Sequence, residues 1–111
     1  MSEDLVGRYT VDLNLRGITD KAGLMERVAD ALDLPEWFGR NWDALLDSLC
    51  DTTVWPPQAV ERGLLIVVRD WHTFAEKNPR EWRIAGDVLS EAVDRTFLLD
   101  VVLALGGNAH L

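Results

Sequence analysis

The chain has 111 residues, 48% of them apolar, which suits one domain over 1–111 with one packed core and is too rich for disorder. Asp plus Glu number 19 against 11 Lys plus Arg, a formal charge of -8. That balance repels nucleic acid and anionic membranes and attracts a basic partner.

Tyr9, Val11, Leu13 and Leu15 alternate with Thr10, Asp12, Asn14 and Arg16. Period two predicts a strand with one apolar face, placed at a sheet edge. Gly17 ends it. Asp20 stands as an N-cap, and Leu24, Val28, Ala31 and Leu32 follow at helical spacing. Pro35 stops that helix, because the residue before a proline is pushed out of helical geometry.

Residues 34–49 then read as an aromatic loop running into a short amphipathic helix. Gly39 suits a sharp turn and Asn41 a second N-cap. Trp42, Leu45 and Leu49 form an apolar stripe that Leu46 widens. Asp43 and Asp47, four residues apart, stack on a different face. Like charges at that spacing repel by roughly 0.2–0.5 kcal/mol, a local cost that points toward a site. Carboxylates stacked beside Trp37 suit a positively charged partner. Phe38 can supply the core contact and leave Trp37 outward. The helix ends at residues 50–53, and Val54, Trp55, Pro56 and Pro57 read as a stiff extended connection.

Residues 64–68 form a continuous apolar run, bounded by Gly63 and by Arg69 and Asp70. It reads as a central parallel strand buried on both faces. A short helix is predicted over 71–77. Asn78, Pro79 and Glu81 mark a strong helix start, with a cap, a first-turn proline and a glutamate three after the cap. Trp82, Ala85, Leu89 and Ala92 keep one face apolar up to about Arg95. A third strand is predicted over 97–105, stopped by Gly106 and Gly107. Trp42, Trp71, Phe74 and Trp82 are assigned to the core or its margin. The order β-α-α-β-α-α-β forces parallel pairing with right-handed crossovers. The α/β fold expected is a three-stranded parallel sheet, order 1-2-3, with about four helices packed on it.

Cys50 is the one cysteine, so no intramolecular disulfide forms, and with His72 and His110 far apart no metal cluster is expected. Met1, Ser2, Glu3 and Asp4 lack the features of a signal peptide, and no apolar run approaches a membrane span. The expected compartment is the cytoplasm, with no cofactor and no metal.

The stretch Leu34-Pro35-Glu36-Trp37-Phe38-Gly39-Arg40-Asn41-Trp42-Asp43-Ala44-Leu45-Leu46-Asp47 resembles the signature of the barstar family, intracellular inhibitors of barnase-type ribonucleases. The resemblance implies the same three-stranded sheet. It also implies a protein that is not an enzyme and that plugs a ribonuclease active site with its second helix and preceding loop. On that resemblance Trp37 is the aromatic that packs into the enzyme's groove. Asp43 is an acidic contact, and Asp47 is the dominant one, standing in for the substrate phosphate. Gly39 and Asn41 match the loop glycine and helix-start asparagine, and Glu91 on the last helix is a peripheral acidic contact. Leu46 replaces a tryptophan of the type member, either as a packing residue or as an exposed rim contact. Arg40 brings a charge with no counterpart there. A one-to-one complex with a basic ribonuclease or ribonuclease-like toxin follows, as for an immunity protein or the antitoxin of a toxin-antitoxin pair. The alternative partner is a basic protein that is not a ribonuclease. An acid–base hydrolase using Asp43 and Asp47 would need those carboxyls pocketed.

Overall fold

A computed structural model describes residues 7–104. Its elements run β1 (Tyr9–Asn14), α1 (Lys21–Leu32), α2 (Trp42–Cys50), a 3-10 turn (Thr52–Val54), α3 (Pro57–Arg62), β2 (Leu64–Arg69), α4 (His72–Lys77), α5 (Pro79–Arg95) and β3 (Leu99–Leu103). The three strands form one parallel sheet in the order β1-β2-β3, as expected. Five α-helices stand among the described residues, one more than the sequence suggested. The addition is α3, which begins at Pro57, the last residue of the expected extended connection, and runs through residues to which no element was assigned. Pro57 takes the first helical position, where a missing N–H costs nothing, and fully buried Ala59 anchors the turn.

Register explains the core. Tyr9 pairs with Leu64, Val11 with Ile66 and Leu13 with Val68, while Leu64, Ile66 and Val68 pair with Leu99, Val101 and Leu103. Period two puts all nine on one face. That face meets the apolar stripes of the helices: Leu24, Met25, Val28 and Leu32 from α1, Leu45 and Leu49 from α2, Ala85 and Ala92 from α5. Each large side chain so buried contributes roughly 1.5–3 kcal/mol.

The run in β2 was read as buried on both faces. On the second face Leu65 is buried, 8% exposed, and Val67 is half-buried, though Leu65 lies outside the core cluster that gathers the buried helix residues. Ion pairs also stand on that face. Arg8 reaches Asp100 at 2.9 Å and Arg69 reaches Asp12 at 3.1 Å. By strand alternation all four charges share the face of Leu65. An apolar run therefore marks a central strand without implying a second helical layer.

Both ends of α1 are built from aspartates. The Asp20 carboxylate accepts the Gly23 N–H at 2.8 Å, and Asp33 closes the helix in left-handed geometry at φ 52°. The helix thus stops two residues before Pro35. At α5 the expected capping box is absent. Asn78 makes no side-chain cap bond, and its amide donates to the Thr19 carbonyl at 3.4 Å. Glu81 accepts instead from the Trp42 indole N–H at 3.0 Å, which ties the first turn of α2 to the first turn of α5.

β3 is shorter than predicted. Thr96 closes α5, and Phe97 projects from the following turn, 90% exposed. Leu105, Gly106, Gly107 and His110 lie outside the described residues. Phe74 is fully buried, while Trp42, Trp71 and Trp82 are half-buried; Trp71 and Trp82 stack with centroids 5.2 Å apart. Gly63, between α3 and β2, sits at φ +84°, and a Cβ there would lie 2.9 Å from Arg8 Cδ. Gly63→Ala is expected to lower stability by at least about 1 kcal/mol in urea unfolding, from left-handed geometry alone.

Candidate functional site

The loop between α1 and α2 divides two adjacent aromatics. Phe38 is 3% exposed and joins the core, and Trp37 is 72% exposed. A tight turn makes the division: the Phe38 N–H donates to the Pro35 carbonyl at 3.0 Å. Gly39 serves differently from expectation. Its φ is not positive, so no left-handed turn calls for it. A Cβ there would lie 3.2 Å from both Ala44 Cβ and Asn41 Nδ2, so glycine lets the loop lie against the start of α2.

The left-handed residue in this loop is Arg40, at φ 54°. Its Nε donates to Glu26 Oε2 at 2.6 Å and its Nη1 to the Phe38 carbonyl at 2.9 Å. Glu26 stands on α1, so the loop is fastened to the helix before it. The resemblance marked Arg40 as a charge without a counterpart in the type member, but nothing in the sequence singled out Glu26.

Asn41 begins α2. Its side-chain oxygen accepts the Ala44 N–H at 2.8 Å, and its amide donates to the Gly39 carbonyl at 3.3 Å. An N-cap of this kind contributes roughly 1 kcal/mol. Leu45, Ser48 and Leu49 face inward, so Asp43 and Asp47 are exposed, one turn apart on the outer face. Leu46 is half-buried and packs against the core, at the boundary between the two faces. The Asp43 carboxylate lies in the first turn, where the helix dipole favours it; Asp47 lies beyond that help.

Asp51 closes α2 and opens the 3-10 turn. Its carboxylate accepts from the Thr53 hydroxyl at 2.6 Å and the Thr53 N–H at 2.9 Å, and these bonds hold its pKa below the usual 3.8. A depressed pKa means stability present above the unfolded value and lost as pH falls through the folded one. Asp51→Asn should therefore lose stability at pH 7, and the gap to the parent in urea midpoints should narrow as pH falls below 3.8.

Glu91 stands apart from this group. The Trp42–Glu81 bond sets α2 beside α5, and ten residues further along α5 is roughly 15 Å. On the same measure α2 extends only about 12 Å from Trp42, so Glu91 lies level with its far end. Its carboxylate pairs with Arg95 at 2.5 Å. The structure thus gathers Trp37, Gly39, Asn41, Asp43, Leu46 and Asp47 on one loop and helix, and leaves Glu91 at the margin.

These features define an α/β scaffold whose helices cover one sheet face and whose second helix presents two outward carboxylates beside an exposed tryptophan. Among the described residues no helix is long and apolar enough to cross a membrane. The family model described as Barstar (barnase inhibitor) matches residues 8–104, and the chain belongs to that family. No curated protein matches the chain. By its description the family is one of inhibitors, with a ribonuclease as the general partner.

Proposed function

We propose that this protein is an intracellular inhibitor, or immunity protein, of one barnase-type ribonuclease, acting as a one-to-one plug of its active site. Trp37, Gly39, Asn41, Asp43, Leu46 and Asp47 form the contact, with Glu91 at its edge. The observation that carries the reading is Asp47: an exposed mid-helix carboxylate on a capped helix, one turn from Asp43, in a chain that belongs to this family.

A ribonuclease must bind a phosphodiester and stabilise charge on it, so its active site concentrates Arg, Lys and His. Carboxylates on a rigid helix occupy the place of that anion. The wider excess of acid steers the approach, and the association weakens with salt. The barnase–barstar pair is itself one of the cases behind that generalisation about steering. No nucleophile, metal or cofactor takes part. Leu46 alters the rim of the plug and so bears on which ribonuclease it accepts.

The test is capture from the native organism on immobilised protein, followed by an RNA-cleavage assay of what is held. A basic partner whose cleavage stops on addition of this protein is the expected result. A basic partner with no nuclease activity would replace this reading with that of a binding protein for another class of target.

A further inference from the structure

Arg40 is the one cation in residues 34–47, and electrostatics alone argues against it. A positive charge between Trp37 and Asp43 weakens the pull on a basic partner. Its left-handed backbone is also unfavourable for any residue with a Cβ. Two costs at one position, inside the stretch that makes the contact, call for a compensating role.

The side chain shows what compensates. It folds back from the contact face toward α1. One edge of the guanidinium meets Glu26 at 2.6 Å, the next donates to the Phe38 carbonyl at 2.9 Å, and the group lies 5.8 Å from the Phe38 ring centroid. Phe38 is already seated in the core, so Arg40 closes a loop of contacts that runs from α1 through Phe38 to the start of α2. Trp37 lies within the Pro35–Phe38 turn, one residue before the carbonyl that Arg40 holds.

We infer that Arg40 is a positioning residue: with Glu26 it latches the Trp37 loop onto α1 in the conformation that meets the partner. A loop ordered in advance loses less freedom on association. The latch rests on the inhibitor reading only for its effect on binding; the ordering of the loop is observable in the free protein.

The sign of the effect separates the latch from simple charge. If Arg40 acted as a charge, Arg40→Ala would tighten binding to a basic partner and Glu26→Gln would weaken it. A latch broken at either end gives losses of the same sign, larger for Arg40→Ala, which also removes the bond to the Phe38 carbonyl, and the double variant loses no more than Arg40→Ala.

The experiment takes Arg40→Ala, Glu26→Gln and the double variant through hydrogen exchange and binding. In the free protein each single variant should speed exchange of the Phe38 amide at least about threefold, with the double variant no faster and the α1 amides unchanged. Unchanged exchange at Phe38, or additive effects, would overturn the latch. Against the captured ribonuclease, weakening by both variants, about threefold or more for Arg40→Ala and non-additive in the double, supports it, and additive effects or opposite signs for the two single variants overturn it. Should no ribonuclease be captured, the exchange result still decides the latch, and only the inhibitor reading falls.

Discussion

Asp47→Ala is expected to weaken the complex with the captured ribonuclease by at least about 2 kcal/mol, roughly thirtyfold, while the protein itself becomes slightly more stable. The barnase–barstar pair is one of the cases from which such hot-spot magnitudes are drawn, so this figure is a floor taken from the family's own chemistry. The two effects have opposite signs for one reason. Asp47 is exposed on α2 one turn from Asp43, so removing it relieves roughly 0.2–0.5 kcal/mol of repulsion in the free protein. In the complex proposed above, the same carboxylate would face the cations that otherwise hold a phosphate. Titration calorimetry reads the first effect and urea unfolding the second. Asp87→Ala is the control, since Asp87 is exposed on α5 and carries the same formal charge. It should change binding by less than about 0.5 kcal/mol. Comparable losses for Asp47 and Asp87 would reduce the contact to bulk charge and remove Asp47 from the site.

The second large effect falls on two neighbours and divides between stability and binding. Phe38→Ala empties a core position and should cost about 3–5 kcal/mol of stability. Trp37→Ala, one residue earlier, should change stability by less than about 0.5 kcal/mol, because its ring is largely in solvent. On binding to the captured ribonuclease, Trp37→Ala should lose at least about 1 kcal/mol, as buried interface aromatics do. Paired unfolding and titration measurements on the two variants check both halves. A stability loss at Trp37 equal to that at Phe38 would mean that both rings belong to the core.

Much of this division was legible in the sequence, because it follows from local rules. The alternation around Val11 and Leu13 placed β1, and the cap residues Asp20 and Asn41 act as their positions predict. Of two adjacent aromatics, Phe38 was read as the core contact that leaves Trp37 outward, and the Pro35–Phe38 turn makes that division. Other features depend on contacts between distant segments and left no local trace. Glu81 had the spacing of a capping box, but the Trp42 indole, 39 residues away in sequence, offers it a donor instead. The apolar run in β2 reads the same whether or not its second face joins the main core, and Leu65 lies outside that cluster. Six residues of α3 are too few to show a helical period, and a proline pair hid its start. Gly39 was rightly marked but for a different reason, since its need for a missing Cβ arises only when Ala44 packs against it.

The bond between Trp42 and Glu81 also bears on how the protein is made. The loop and both carboxylates of α2 emerge from the ribosome well before residue 79, yet the helix they stand on is tied through Trp42 to Glu81 of α5. A nascent or truncated chain that stops short of α5 carries every proposed contact residue except Glu91 and the complete Arg40–Glu26 pair, but lacks the acceptor that fixes the start of α2. If the protein inhibits as proposed, its full activity would arrive only once α5 has been made. A cell that makes the ribonuclease and its inhibitor together would then need the inhibitor's message translated first, or faster.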